Sequence, residues 1–515
     1  MFLYFLLLLV FYALTNHFLN KFRNFPPIPF PTLPIIGHLY LLIKPHHFHR
    51  TLTKISNRFG PVFLLRFGSR RILIISSPSA AEECLKQKDV FFANRPLDLL
   101  SGKHLGYNYT TIATSSYNDH WRNLRRISTF EILSVNRLNT LLHIRTDEVR
   151  LLVHRLLHLQ NQEDRNPVLD MRPLFTEVTL NIMMRMIAGK RYYEDCVVSK
   201  EDAEEAETFR KMIKESIELT SYSSVRDYLP VLRWVGVGRG FEKSLIELQK
   251  KRDGFMHILI EQHKKNMASS NSNSSHDEKK TKTMIGVLLS LQESEPEYYK
   301  DEIIKGLVLD LLAAGTETSA GTMEMALSFL LNHPEAMKKA HTELVNCVGH
   351  GRLVNESDLA NLPYLHCIIK ETLRLIPPGP LIPHASSKET TVSGYHVPGG
   401  CMVLVNIWAI QRDPNVWAEP NKFKPERFLE GAELREGFKL LPFGYGRRIC
   451  PGENLALRMV GLTLASIIQC FEWERVTEKM VDMDETARGL TVSLTNPLQA
   501  MCRPRSTMMN VLSQI

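Results

Sequence analysis

The chain has 515 residues, 44% hydrophobic and 23% charged. That is enough apolar content for a large core, and too little bias for a disordered, collagen-like or disulfide-scaffold protein. A net charge of +8 comes with no finger spacing, no basic helix and no basic stripe with interleaved aromatics, so nucleic acid is not an expected partner. The eight cysteines are scattered without a C-x-x-C pair, which suits a reducing compartment.

In chain order, residues 2–14 are an unbroken apolar run that Phe18 and Leu19 extend past Thr15-Asn16-His17. Lys21 and Arg23 follow the run, and no small-residue cleavage site is present. A cleaved signal peptide is therefore disfavoured, and residues 1–20 are expected to be a single-pass anchor with its basic flank in the cytosol, barely meeting the ~20 residues a bilayer needs. Residues 21–37 are basic and hold Pro26, Pro27, Pro29, Pro31 and Pro34 before Gly37, a stretch that cannot be helical and reads as a stiff hinge. Residues 38–515 would then be one catalytic body.

His46, His47 and His49 lack helical ligand spacing and acidic or cysteine partners, so a polar loop is expected there rather than a metal site. Residues 62–67 and 71–75 form a β-prone hairpin about Gly68-Ser69. Helical patterns dominate residues 82–265, with breaks at 98–114 and 222–240, and Met183, Met184 and Met186 fill core gaps. Residues 266–283 hold almost nothing apolar and are expected to be a mobile internal loop. A long helix follows over 301–332, begun by acids and ended by His333-Pro334. At 1.5 Å per residue it runs roughly 48 Å, enough to cross the body.

Phe443-Gly444-Tyr445-Gly446-Arg447-Arg448-Ile449-Cys450-Pro451-Gly452 has glycines for tight turns and a proline suited to the first turn of a helix over 453–468. Cys450 then sits at a helix N-terminus, where the dipole and free N–H groups favour thiolate over thiol. The segment meets every fixed position of F-x-x-G-x-R-x-C-x-G and so resembles the haem-binding signature of the cytochrome P-450 family. The resemblance implies a mainly α fold with a small β region and haem b between a long central helix and a Cys-bearing loop. It makes Cys450 the axial iron ligand, with Phe443, Gly444 and Arg448 beside the cofactor and Arg448 on a propionate.

Further motifs lie in family order. Ala314-Gly315-Thr316-Glu317-Thr318 resembles the oxygen-activation segment: Ala314 leaves room over the iron, Gly315 permits a local opening, and Glu317 with Thr318 would deliver protons. Read without the haem loop, the same hydroxyls would simply bond back to their own helix. Glu371 and Arg374, three apart on a helix, with Arg427 of Pro425-Glu426-Arg427-Phe428, match a buried charged cluster of structural role. Trp121 and Arg125 fit a W-x-x-x-R helix whose indole N–H and guanidinium hold propionates in this family, and His384 stands where relatives place a propionate-binding His or Arg.

Trp408-Ala409-Ile410-Gln411-Arg412-Asp413-Pro414 and Cys502-Arg503-Pro504-Arg505 resemble plant microsomal members, nearest the isoflavone-hydroxylase-like group. Implied are an endoplasmic-reticulum membrane location and an NADPH-cytochrome P-450 reductase partner supplying electrons. With dioxygen, the enzyme would oxidise, by hydroxylation, an aromatic or phenolic plant metabolite. Oxidative phenol coupling or methylenedioxy-bridge closure on the same site stays open, as do a reductase-independent haem isomerase and a non-catalytic haem protein. Substrate-pocket candidates by family position are Ala313, Ala314, Leu381, Ile382, Leu490 and Thr491. Pro377 to His384 reads one residue shorter than in relatives, which changes the roof over a substrate ring.

Overall fold

The computed structural model describes residues 22–43, 47–162, 167–192, 200–220, 224–271, 283–429, 436–488 and 491–514. The expected anchor, residues 1–20, lies outside them, and among the described residues no helix is long and apolar enough to cross a membrane.

The elements that position the site are, in chain order, α1 (Phe48–Phe59), β1 (Val62–Phe67), β2 (Arg70–Ile75), α2 (Asp119–Arg126), α3 (Met171–Ala188), α4 (Arg239–Asn271), α5 (Asp301–Asn332), α6 (Pro363–Leu375), β3 (Leu381–Ala385), β4 (Met402–Asn406), α7 (Glu453–Cys470), β5 (Glu485–Arg488) and β6 (Thr491–Leu494). The expected hairpin is present one residue longer, from Arg70. Its turn needs glycine: Gly68 has φ +55°, and a Cβ there would lie 2.2 Å from the Tyr228 carbonyl. The strands run β1-β2-β4-β3, antiparallel except for the parallel β2–β4 pair with Ile72 opposite Met402.

α5 has the bounds its flanks foretell. Asp301 and Glu302 complement its first turn, and Pro334 cannot continue it. It is largely apolar because α3, α6 and α7 pack around it, and these helices share the largest core.

Three expectations need correction. α4 continues to Asn271 and Thr283 caps the next helix, so residues 266–271 are helical and 272–282 lie outside the described residues. Met267, packed against the main core, is the apolar contact that carries the helix on. The proline-rich segment is docked on the sheet: Leu64 N–H donates to Pro27 O at 2.9 Å and His38 N–H to Arg66 O at 2.6 Å. His49 is not in a polar loop but buried within α1, bonded to the Glu485 carboxylate at 3.2 Å.

Candidate functional site

The loop before α7 folds back on itself. The Cys450 N–H donates to Phe443 O at 2.9 Å, and Gly444 N–H to Leu441 O at 2.9 Å. Gly446, at φ +73°, is the tightest point, since a Cβ there would lie 2.3 Å from Leu85 O. Half-buried Cys450 precedes the first turn of α7. Burial pushes its thiol up, while the Gly452 N–H, the Arg125 charge and the Glu453 N–H pull it down. Burial prevails, so the helix end by itself does not make Cys450 a thiolate. A coordinated metal ion deprotonates a thiol outright.

Around this loop lie three guanidinium groups with no carboxylate partner among the described residues. Arg448 bonds the carbonyls of Ala93 at 2.7 Å and Ile112 at 3.2 Å. Arg125 bonds Ile449 O. Arg95, which the sequence reading missed, bonds Ala113 O at 3.0 Å and Pro383 O. Burial, then mutual repulsion, lowers Arg448 to about 8, and burial lowers Arg95 to about 10. Half-buried cations whose hydrogen bonds go only to carbonyls form a cradle for anionic arms.

Two neighbours differ from expectation. The Trp121 indole N–H donates to Ile112 O at 3.0 Å rather than pointing at a ligand. His384 is fully buried and bonds Phe92 O through Nδ1 at 2.8 Å. Burial, then the Arg95 charge, lowers it to about 3. A neutral ring with Nδ1–H so engaged offers an acceptor at Nε2, so His384 donates to a carboxylate only after taking a proton.

On α5, Ala313 and Ala314 are exposed although Leu311, Leu312 and Thr316 around them are buried. In the middle of a core helix that exposure is onto internal space. Thr318 and Glu317 stand one turn on, half-buried. The Thr318 hydroxyl donates to Ala314 O at 2.6 Å, a bond back to its own helix. Gly315 does not mark an opening: a Cβ there would meet Met183 Sδ at 2.6 Å, so its smallness admits the α3 thioether.

Leu381 and Ile382 of β3 are half-buried, and Ile382 Cδ1 lies 3.6 Å from where a Gly444 Cβ would stand. Thr491 opens β6, whose Val492 N–H donates to Pro378 O at 2.9 Å; Leu490 lies outside the described residues. Glu371, Arg374 and Arg427 meet. The Glu371 carboxylate takes Arg374 at 2.7 and 2.9 Å and Arg427 at 3.0 Å. Arg374 also donates to the carbonyls of Gln411 and Pro420, each at 2.8 Å.

A cysteine before a helix, an uncompensated guanidinium cradle and a small-residue gap in the central helix fit a flat anionic prosthetic group with a thiolate ligand. The fold and site define a haem-thiolate protein. The cytochrome P450 family model matches residues 26–502. Cytochrome P450 81Q32 of Catharanthus roseus is 48% identical over 96% of this chain and 94% of its own length. Isoflavone 3'-hydroxylase of Medicago truncatula is 47% identical over 94% and 93%. (+)-Piperitol/(+)-sesamin synthase of Sesamum radiatum is 45% identical over 95% and 92%. A zebra fish cytochrome P450 solved with abiraterone superposes with TM-score 0.72 at 25% identity, covering 89% of this chain and 99% of that one. This chain belongs to the cytochrome P450 family: it is a plant-type monooxygenase of the isoflavone-hydroxylase-like group, carrying thiolate-ligated haem b.

Proposed function

We propose that the protein is a membrane-anchored, NADPH-reductase-dependent monooxygenase that hydroxylates an aromatic or phenolic plant metabolite, with residues 1–20 as its endoplasmic-reticulum anchor, residues 21–37 as the proline-rich connector and residues 38–515 as the catalytic unit. The observation that carries the reading is the exposure of Ala313 and Ala314 within a core helix, with an acid and a hydroxyl one turn on. When bound, haem supplies dioxygen activation. Cys450 holds its iron, Arg448, Arg125 and Arg95 hold its carboxylates, and Trp121, Phe443, Gly444 and His384 shape the sides of its pocket. Thr318, on leaving Ala314 O, presents a hydroxyl to the gap, and Glu317 supplies the proton it passes on. Glu371, Arg374 and Arg427 lock the core behind the loop. Leu381, Ile382 and Thr491 line the substrate side.

The test is turnover in microsomes with reductase, NADPH and a panel of plant phenolics, under isotopically labelled dioxygen. A product heavier by one labelled oxygen supports hydroxylation. Ring or bridge closure without net oxygen gain supports the second reading, which the sesamin synthase relative favours. Product without reductase, or no product from any phenolic, contradicts the proposal.

A further inference from the structure

The short helix Asp89–Phe92 lies against the cysteine loop, and the segment it opens bonds that loop and its surroundings one residue after another. The Asp89 carboxylate accepts the Arg447 backbone N–H at 3.1 Å and the Arg447 guanidinium at 3.0 Å. Phe92 O is bonded by His384 Nδ1 at 2.8 Å, and Ala93 O accepts Arg448 Nε–H at 2.7 Å. Gly446 brings the loop in close: a Cβ there would stand 2.7 Å from Asp89 Oδ1, so the backbone rests directly on the carboxylate.

The Arg447 N–H belongs to the single turn Gly446–Arg448, whose first N–H groups have no partner within the turn. Ile449 N–H closes the turn onto Gly446 O at 3.1 Å, and Cys450 follows. Asp89 therefore fixes the turn from which Arg448 and Cys450 leave in succession. The carboxylate is 8% exposed, whereas Arg447 reaches the surface. Burial raises the Asp89 carboxyl, and the bonds from Arg447 pull it back. Arg448, Arg125 and Arg95 have no carboxylate partner among the described residues, but Arg447 has this one. The pair is neutral as a whole and adds no net charge to a cradle already rich in cations. Removing either member leaves a full charge beside the cofactor, of opposite sign in the two cases, and a partly buried charge is weakly screened.

We propose that Asp89 is a positioning residue for the haem: it holds the Gly446–Arg448 turn that presents Arg448 and Cys450, and its pairing with Arg447 sets the potential at which the iron accepts an electron. Both roles concern the cofactor, whichever substrate is oxidised.

The test is the ferric–ferrous midpoint potential of the substrate-free, haem-loaded protein, with the reduced, carbon monoxide-bound spectrum as the check on ligation. Asp89→Asn keeps an acceptor for the Arg447 N–H but removes the negative charge. It should keep the red-shifted band and favour the reduced state by about threefold, or about 30 mV. Arg447→Gln keeps the N–H bonded to Asp89 but removes the positive charge, and its potential should fall by a similar amount. The double variant should return close to wild type. A packing role alone does not move the potential in opposite directions, so shifts of the same sign, or none, in the two single variants overturn the charge assignment. Asp89→Ala removes the acceptor as well, and should release haem to apomyoglobin at least about fivefold faster. Release at the wild-type rate overturns the positioning role, and if the alanine variant does not take up haem the two charge variants still decide.

Discussion

Trp121 and Arg448 share one acceptor. The indole N–H and a guanidinium N–H both donate to Ile112 O, at 3.0 and 3.2 Å, and the guanidinium carbon stands 4.3 Å from the indole centroid. The indole therefore fixes the carbonyl and the ring plane that fix Arg448. Trp121→Phe keeps the plane and loses the N–H, worth about 1 kcal/mol. Haem retention, followed by Soret loss to apomyoglobin, should weaken by about fivefold. Arg448→Met, which removes the cation itself, should lose haem further. Retention equal to wild type in both variants would refute a propionate cradle here.

The Glu371 carboxylate is wholly buried between two arginines. Glu371→Ala strands the Arg374 guanidinium, itself fully buried, and should cost about 3–5 kcal/mol in urea unfolding. Replacing an exposed carboxylate such as Asp119, which pairs with Arg122 at the surface, should leave the urea midpoint unchanged within error.

Gly315 and Met183 should be coupled. Gly315→Ala pushes a methyl into the Met183 thioether and should destabilise by about 1–3 kcal/mol, and Met183→Ala in the same chain should recover part of that. The sign is unusual, since Met183→Ala alone opens a cavity and is destabilising too. Thermal midpoints of the four proteins read the cycle, and strict additivity would contradict the contact.

Acid sensitivity should centre on β5. Burial alone would raise the Glu485 carboxyl, but bonds from His49 and Arg50 and the charges of Arg50 and Arg412 hold it at about 2. A carboxyl depressed on folding contributes stability that is present above its unfolded pKa and lost as pH falls through the folded value, here about 3 kcal/mol. Burial lowers His49, so its share is also lost on acidification, beginning below about 6.5. Asp484, paired with Arg50, and the Trp408 indole complete the surroundings. Unfolding free energy measured against pH should fall from near neutrality downward, and Glu485→Gln should flatten its most acidic limb.

Much of this was legible where local rules and tertiary structure agree. α5 begins at Asp301 and ends before His333-Pro334 because charge and proline chemistry act over one turn, and the Cys450 loop shows in its glycines. Arg95 was not legible, because nothing around Asn94-Arg95-Pro96 distinguishes a buried cation from a surface one. Only the fold brings it beside Pro383 and Ala113. His49 and Glu485 lie 436 residues apart in sequence, so their pairing carries no local signal. The reach of the proline-rich segment back onto β1 was hidden for the same reason, since its partners are strand edges rather than neighbours.

The central claim is that Cys450 supplies the thiolate to the iron, and the reduced, carbon monoxide-bound absorption spectrum tests it most directly. Wild type should show the red-shifted Soret band of thiolate ligation. Cys450→His, whether or not haem is retained, should show none of it. A red-shifted band in that variant would place the ligand on another cysteine and contradict the account.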